Sequence, residues 1–75
     1  MKIDDIDAFV AVIRNASLSQ AAESLGLTQS AITRRVQSLE ESLGVALLDR
    51  NTKPLKPTAS GLRVYEQCRR VLREV

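Results

Sequence analysis

The sequence predicts a small, mostly α-helical fold with one short β-hairpin, closed by a long C-terminal helix. Three observations carry that prediction. Apolar residues recur at helical spacing in four separate stretches. The one segment that breaks this rhythm, residues 45–57, holds both prolines, Pro54 and Pro57. A chain of 75 residues with 44% hydrophobic side chains supports a single core. With Phe9 and Tyr65 as its only aromatics, that core must be aliphatic.

Residues 3–15 form the first helix, with Ile6, Phe9, Val10 and Ile13 on one face. Asp4, Asp5 and Asp7 fall at its start as a solvated acidic rim, where negative charge suits the positive end of the helix dipole. Asn15 and Ala16 end it. Ser17 caps a second helix over residues 18–25, and Ser17-x-x-Gln20 has the form of a capping box. Ala21 and Ala22 give this helix one low side, against which another backbone can lie closely. Gly26 supplies the left-handed turn that follows, and Thr28 caps a third helix over residues 29–43. A small residue at 22, a glycine four later and the aliphatic Ile32 six after that fit a helix-turn-helix. Ile32, Val36, Leu39 and Leu43 form the third helix's buried stripe, and Gln29, Ser30, Thr33, Arg34 and Gln37 lie opposite.

Gly44 terminates the third helix. Residues 45–57 then read as a hairpin whose strands must be short, because Pro54 and Pro57 cannot donate ladder hydrogen bonds. Arg50, Lys53 and Lys56 lie on or beside its tip, as in the wing of a winged helix. Thr58 caps the last helix, residues 59–75. There Gly61, Tyr65, Cys68, Leu72 and Val75 are spaced 4, 3, 4 and 3, a heptad-like seam. Such a seam packs either on a second copy of the chain or on the domain's own core. The division that follows is a winged helix-turn-helix over residues 1–57 and a linker or dimerisation helix over residues 58–75.

Charge is distributed unevenly. Residues 1–25 carry a net −2 and residues 26–75 a net +4. The positive half therefore begins with the third helix, as a phosphate-facing surface requires. The outer face of that helix opens with an amide, hydroxyls and a guanidinium, and meets no carboxylate before Glu40 and Glu41. Glutamine suits adenine, arginine suits guanine, and a threonine methyl suits that of thymine, so Gln29, Ser30, Thr33 and Arg34 are the expected base contacts. Arg35, one step around, reaches either phosphate or an acidic neighbour. Ser17 or Ser19 at a capped N-terminus can bond a phosphate as well as the helix. Glu40 and Glu41 repel DNA and are expected to point away from it.

Other classes fit poorly. With no histidine, one cysteine and no carboxylate pair on a cleft-forming element, neither catalysis nor a metal site is expected. Cys68 has no partner for an internal disulfide, which suits a reducing cytoplasm. No apolar run approaches membrane-spanning length, and the acidic N-terminus is unlike a signal peptide. Two aromatics are too few for base-stacking recognition of single strands.

Phe9, Ser17, Ala21-Ala22, Leu25, Gln29, Ala31, Leu39-Glu40, Leu43-Gly44, Leu47, Arg50, Thr58 and Gly61 stand in the order found in the N-terminal domain of LysR-type transcriptional regulators. The chain resembles that domain over essentially its whole length. It departs at Ser30, often proline in the family, at Thr33, often serine, at Leu48, often phenylalanine, and at Pro57, often leucine. The resemblance implies sequence-specific binding of double-stranded DNA. By analogy Gln29, Ser30, Thr33 and Arg34 read the major groove, Lys53 enters the minor groove, and Ser17, Thr28, Arg35 and Arg50 hold phosphates. It also implies a homodimer joined through the last helix, with Tyr65, Cys68, Leu72 and Val75 at the interface, often assembled into tetramers. A small-molecule effector is implied for a further C-terminal domain, and no cofactor for this one. The competing reading is a helical protein-interaction module without DNA binding. It accounts for the seam but not for the outer face of the third helix.

Overall fold

Helix α1 (Ile3–Asn15) is the central strut, and α2 (Leu18–Leu25), α3 (Gln29–Leu43) and α4 (Ala59–Leu72) all pack against it. The computed structural model describes residues 2–72. Flanked on three sides, α1 buries more than the single face its spacing predicts: Ala8, Ala11 and Val12 join Ile6, Phe9 and Val10, while Ile13 is only partly buried. Asp5 departs from the expected solvated rim. It is 6% exposed, because α3 lies over it and shares a recess with it at Ala31, Arg34, Arg35 and Ser38. The chain leaves α1 through Ala16 in the left-handed region, φ 52°.

Local capping sets the next two helices. The Gln20 amide donates to Ser17 Oγ at 3.2 Å, one arm of the expected box. Ala21 and Ala22 are buried, and Gly26 makes the turn at φ 68°. The Ala31 amide donates to Thr28 Oγ1 at 3.1 Å, which starts α3. Ile32, Val36 and Leu39 are fully buried beneath it. Leu43 is not the fourth member of that stripe; it is 37% exposed, in the last turn before Gly44 swings the chain away. Phe9, Val12, Ile32, Val36, Leu39 and Leu47 are the largest fully buried side chains. Burying each stabilises the fold by roughly 1.5–3 kcal/mol before conformational entropy is counted.

The hairpin is as short as its prolines require: β1 (Leu48–Asp49) pairs antiparallel with β2 (Lys56–Pro57), Leu48 opposite Pro57 and Asp49 opposite Lys56. In the loop between them, Asp49 Oδ1 accepts from the Asn51 amide at 3.0 Å, and the Lys53–Pro54 peptide is cis.

Helix α4 starts on Thr58, whose Oγ1 accepts from the Gly61 amide at 2.9 Å and donates to the Ala46 carbonyl at 2.6 Å. The apolar seam of α4 faces inward onto the chain's own core, the second of its two expected packings. Gly61 and Cys68 are buried, and Tyr65 and Leu72 pack half-buried against the core. The reason is that heptad spacing serves a neighbouring helix of the same chain as well as one from a partner, and here α1 takes that place. Val75 lies outside the described residues. The large apolar side chains that α4 leaves to solvent among the described residues are Leu62, 53% exposed, and Val71, 63% exposed. No described helix is long and apolar enough to cross a membrane.

Candidate nucleic-acid interface

With Ile32, Val36 and Leu39 held against α1, the helical repeat of α3 distributes its remaining residues over three sides. Ser30 and Gln37 lie outward and are exposed, and Arg34 is exposed at the outer edge of the recess it shares with Asp5. Gln29 and Thr33 turn toward the wing; Gln29 is exposed, and Thr33 is half-buried in a cleft of about 250 Å³ shared with Leu18, Val36, Leu48, Arg50 and Leu55. Arg35 turns the other way, toward α1. The four expected base-reading residues thus lie on one continuous, accessible surface, with Thr33 in its inner corner. Lys53 and Lys56 are exposed on the wing beside it.

Two of the expected phosphate ligands already have anionic partners. Arg35 Nη1 lies 3.6 Å from Asp4 Oδ2 on α1, so of its two expected partners the acidic neighbour is the one engaged. Both groups are substantially solvated, and such a pair contributes about 1 kcal/mol or less. A phosphate can therefore displace Asp4 at small cost. Arg50 is held more firmly, with Nη2 at 3.2 Å from Glu40 Oε1 and Nη1 at 3.5 Å from Oε2. Ser17 and Thr28 are better placed than the arginines. Each hydroxyl oxygen accepts a helix amide, which leaves the proton of Thr28 to donate outward to an anion, while that of Ser17 is shared with the Ser19 hydroxyl. Ser19 Oγ stands 3.2 Å from Ser17 Oγ at the same helix end.

Glu40 is the residue whose part the sequence did not disclose. It does point away from the outer face, but as a tie rather than as an avoided charge. Its Oε2 accepts from the Leu47 amide at 2.7 Å and from the Leu48 amide at 3.3 Å, in addition to the Arg50 contacts. Burial by itself would raise the pKa of this side chain. The Leu47 amide, the Arg50 hydrogen bond and charge, and the Leu48 amide outweigh that effect and hold the carboxyl below its ordinary value near 4.5. On the opposite side, Leu47 offers its carbonyl to the Thr58 amide at 3.0 Å. A β-carbon on Gly61 would collide with that same carbonyl. One fully buried leucine thus joins α3, the wing and α4. The signal in the sequence was a carboxylate ten residues before an arginine across a glycine turn, which by itself matches many unpaired surfaces. At Cys68, burial pushes the thiol pKa up, so the side chain behaves as a small apolar group.

A helix-turn-helix with a basic wing is shared by many protein families, so comparison with known proteins decides among them. The profile described as "Bacterial regulatory helix-turn-helix protein, lysR family" matches residues 3–62. The chain belongs to the LysR family. Among curated LysR-type and related relatives, it is 40% identical to the HTH-type transcriptional regulator CrgA of Neisseria meningitidis over 72 residues, 96% of this chain and 24% of that protein. It is 36% identical to the regulator BenM of Acinetobacter baylyi over its full 75 residues, 25% of that protein. The chain thus spans about a quarter of the length of the curated relatives it matches. Among solved structures, the BenM DNA-binding domain in complex with benA site 1 DNA superposes with a TM-score of 0.92 at 36% identity, covering 96% of this chain and 81% of that one. A complex of the CbnR DNA-binding domain with DNA gives 0.91 at 37% identity, covering 97% and 84%. The winged helix fold expected from the LysR resemblance is therefore the fold observed.

Proposed function

We propose that this chain binds double-stranded DNA sequence-specifically, as the DNA-binding part of a LysR-type transcriptional regulator. One observation carries the reading: Gln29, Ser30 and Arg34 stand exposed on the first two turns of a helix whose underside is fully buried, beside a wing that exposes Lys53 and Lys56. A helix so mounted can enter the major groove, where Gln29 and Arg34 present bidentate donors and acceptors to base edges and Thr33 a methyl group. Lys53 reaches the minor groove or its flanking backbone. Thr28 and the Ser17–Ser19 hydroxyl pair donate to phosphates, and Arg35 exchanges Asp4 for one. Arg50 lends phosphate its outward N–H groups while its charge is shared with Glu40. This is binding chemistry, and we assign the chain no catalytic step. DNA-complex structures among its relatives support the reading.

The longer protein would act in the cytoplasm as a homodimer, often paired into a tetramer, with a small-molecule effector bound outside this domain. Contact between copies would use the solvent side of α4, where Leu62 and Val71 are exposed, rather than the buried Cys68. The boundary between residues 1–57 and 58–75 is then one of role, since both parts share a core.

Selection from a random duplex pool tests the function. Enrichment of one motif, with affinity that falls steeply as salt rises, is the expected result. A pool without enrichment, or affinity indifferent to salt, would return α3 to the rival reading as a protein-docking helix.

A further inference from the structure

We infer that Glu40 is the positioning residue that aligns the wing with the recognition helix, so that the contribution of Lys53 to DNA binding depends on a carboxylate that never touches DNA. This rests on the DNA-binding reading and adds to it a residue whose role is to fix a geometry. Four contacts converge on one side chain: the Leu47 amide at 2.7 Å, the Leu48 amide at 3.3 Å and the two Arg50 nitrogens at 3.2 and 3.5 Å. Leu47 and Leu48 are the residues through which the chain enters β1, and Arg50 is the first residue beyond it. Glu40 therefore holds the near strand of the wing at three points from the last turn of α3.

Leu48 and Leu55 pack the wing into the core beside Thr33 and Val36 of α3, and Glu40 adds the polar contacts that tie the near strand to the same helix. The wing's ladder is two residues per strand, and its loop is held by short-range bonds, from the Asn51 amide to Asp49 and from the Thr52 hydroxyl to the Asp49 and Pro54 carbonyls. Those bonds shape the loop without orienting it toward α3. The recognition surface and Lys53 thus sit on elements whose relative placement is fixed jointly by that apolar packing and by Glu40. The side chain is 13% exposed, so water offers little to replace these contacts. A lysine makes a useful groove contact only where its stem is aimed, so loosening the tie should cost the Lys53 contact before it costs the fold.

A double-mutant cycle on the folded chain tests this, with the duplex that the wild-type chain enriches from a random pool as the probe. The variants are Glu40→Gln, Lys53→Ala and the pair, each checked for a cooperative unfolding transition above the assay temperature. Lys53→Ala should weaken wild-type binding about fivefold and the Glu40→Gln background less than about twofold, the non-additivity expected of coupled positions. Arg50→Ala keeps the two amide ties and should give an intermediate coupling, which provides a second reading if Glu40→Gln does not fold. Equal Lys53→Ala losses in both backgrounds, with Glu40→Gln lowering only the unfolding midpoint, would overturn the inference and leave DNA binding intact. A wild-type chain that enriches no duplex overturns both readings, which separates the two failures.

Discussion

Ala16 holds φ 52°, a conformation that costs an L-residue with a β-carbon roughly 1–2 kcal/mol. Gly26 and Gly44 adopt the same region at φ 68° and 71° without that penalty. Ala16→Gly should therefore raise stability by about 1 kcal/mol, read as a higher urea midpoint at unchanged slope; a lower midpoint would mean that the methyl group makes a contact worth more than the strain. At Arg34, truncation to alanine should relax preference at one base of each half-site and cost roughly 1–3 kcal/mol on the best sequence only. Equal losses on all sequences would place Arg34 on phosphate. Residue-level features that depend on near neighbours were legible beforehand: the Ser17 and Thr28 caps and the Gly26 turn each involve groups within five residues. Asp5 was not. Its three-fold acidic context resembles a helix start in water, and only the passage of α3 over the first turn buries it.

At the scale of elements, the join between α3 and the wing predicts an acid response. Glu40 titrates below its ordinary value when folded, so its contribution is complete above about pH 5 and is lost as pH falls through the folded value. Arg50 faces it from the wing and Glu41 borders the same recess. As pH falls below the ordinary glutamate value of 4.5, the urea midpoint should drop more steeply in the wild type than in Glu40→Gln, which should be less stable at neutral pH and flatter in acid. Parallel curves would mean that the tie is no stronger in its charged form. The boundaries of α2 and α3 were readable because a hydroxyl cap and a glycine terminator mark each, and those of α1 from its apolar spacing. The direction of α4 was not readable, since a stripe spaced 4, 3, 4 fits an internal neighbour and a partner equally. In the fold, Gly61 and Cys68 are buried and Tyr65 and Leu72 pack against the core, contacts of which spacing carries no record.

For the molecule as a whole, the placement of charge and of solvent-facing apolar groups separates two surfaces. The α3–wing side carries Arg34, Lys53 and Lys56, while α4 exposes Leu62 and Val71. Val71→Asp, on a side chain 63% exposed, should leave the unfolding midpoint within about 0.5 kcal/mol of wild type and shift sedimentation toward monomer, with weaker binding to a two-half-site duplex. Unchanged sedimentation would place self-association on another face. The contact of Gly61 with the Leu47 carbonyl has a consequence at this scale. The departing helix and the basic finger hang from one buried leucine, with no methyl group to separate them. Were two such chains to cross on a duplex, as proposed, their crossing angle would be handed on to the distance between their fingertips, and the operator spacing a pair could straddle would depend partly on an absent β-carbon.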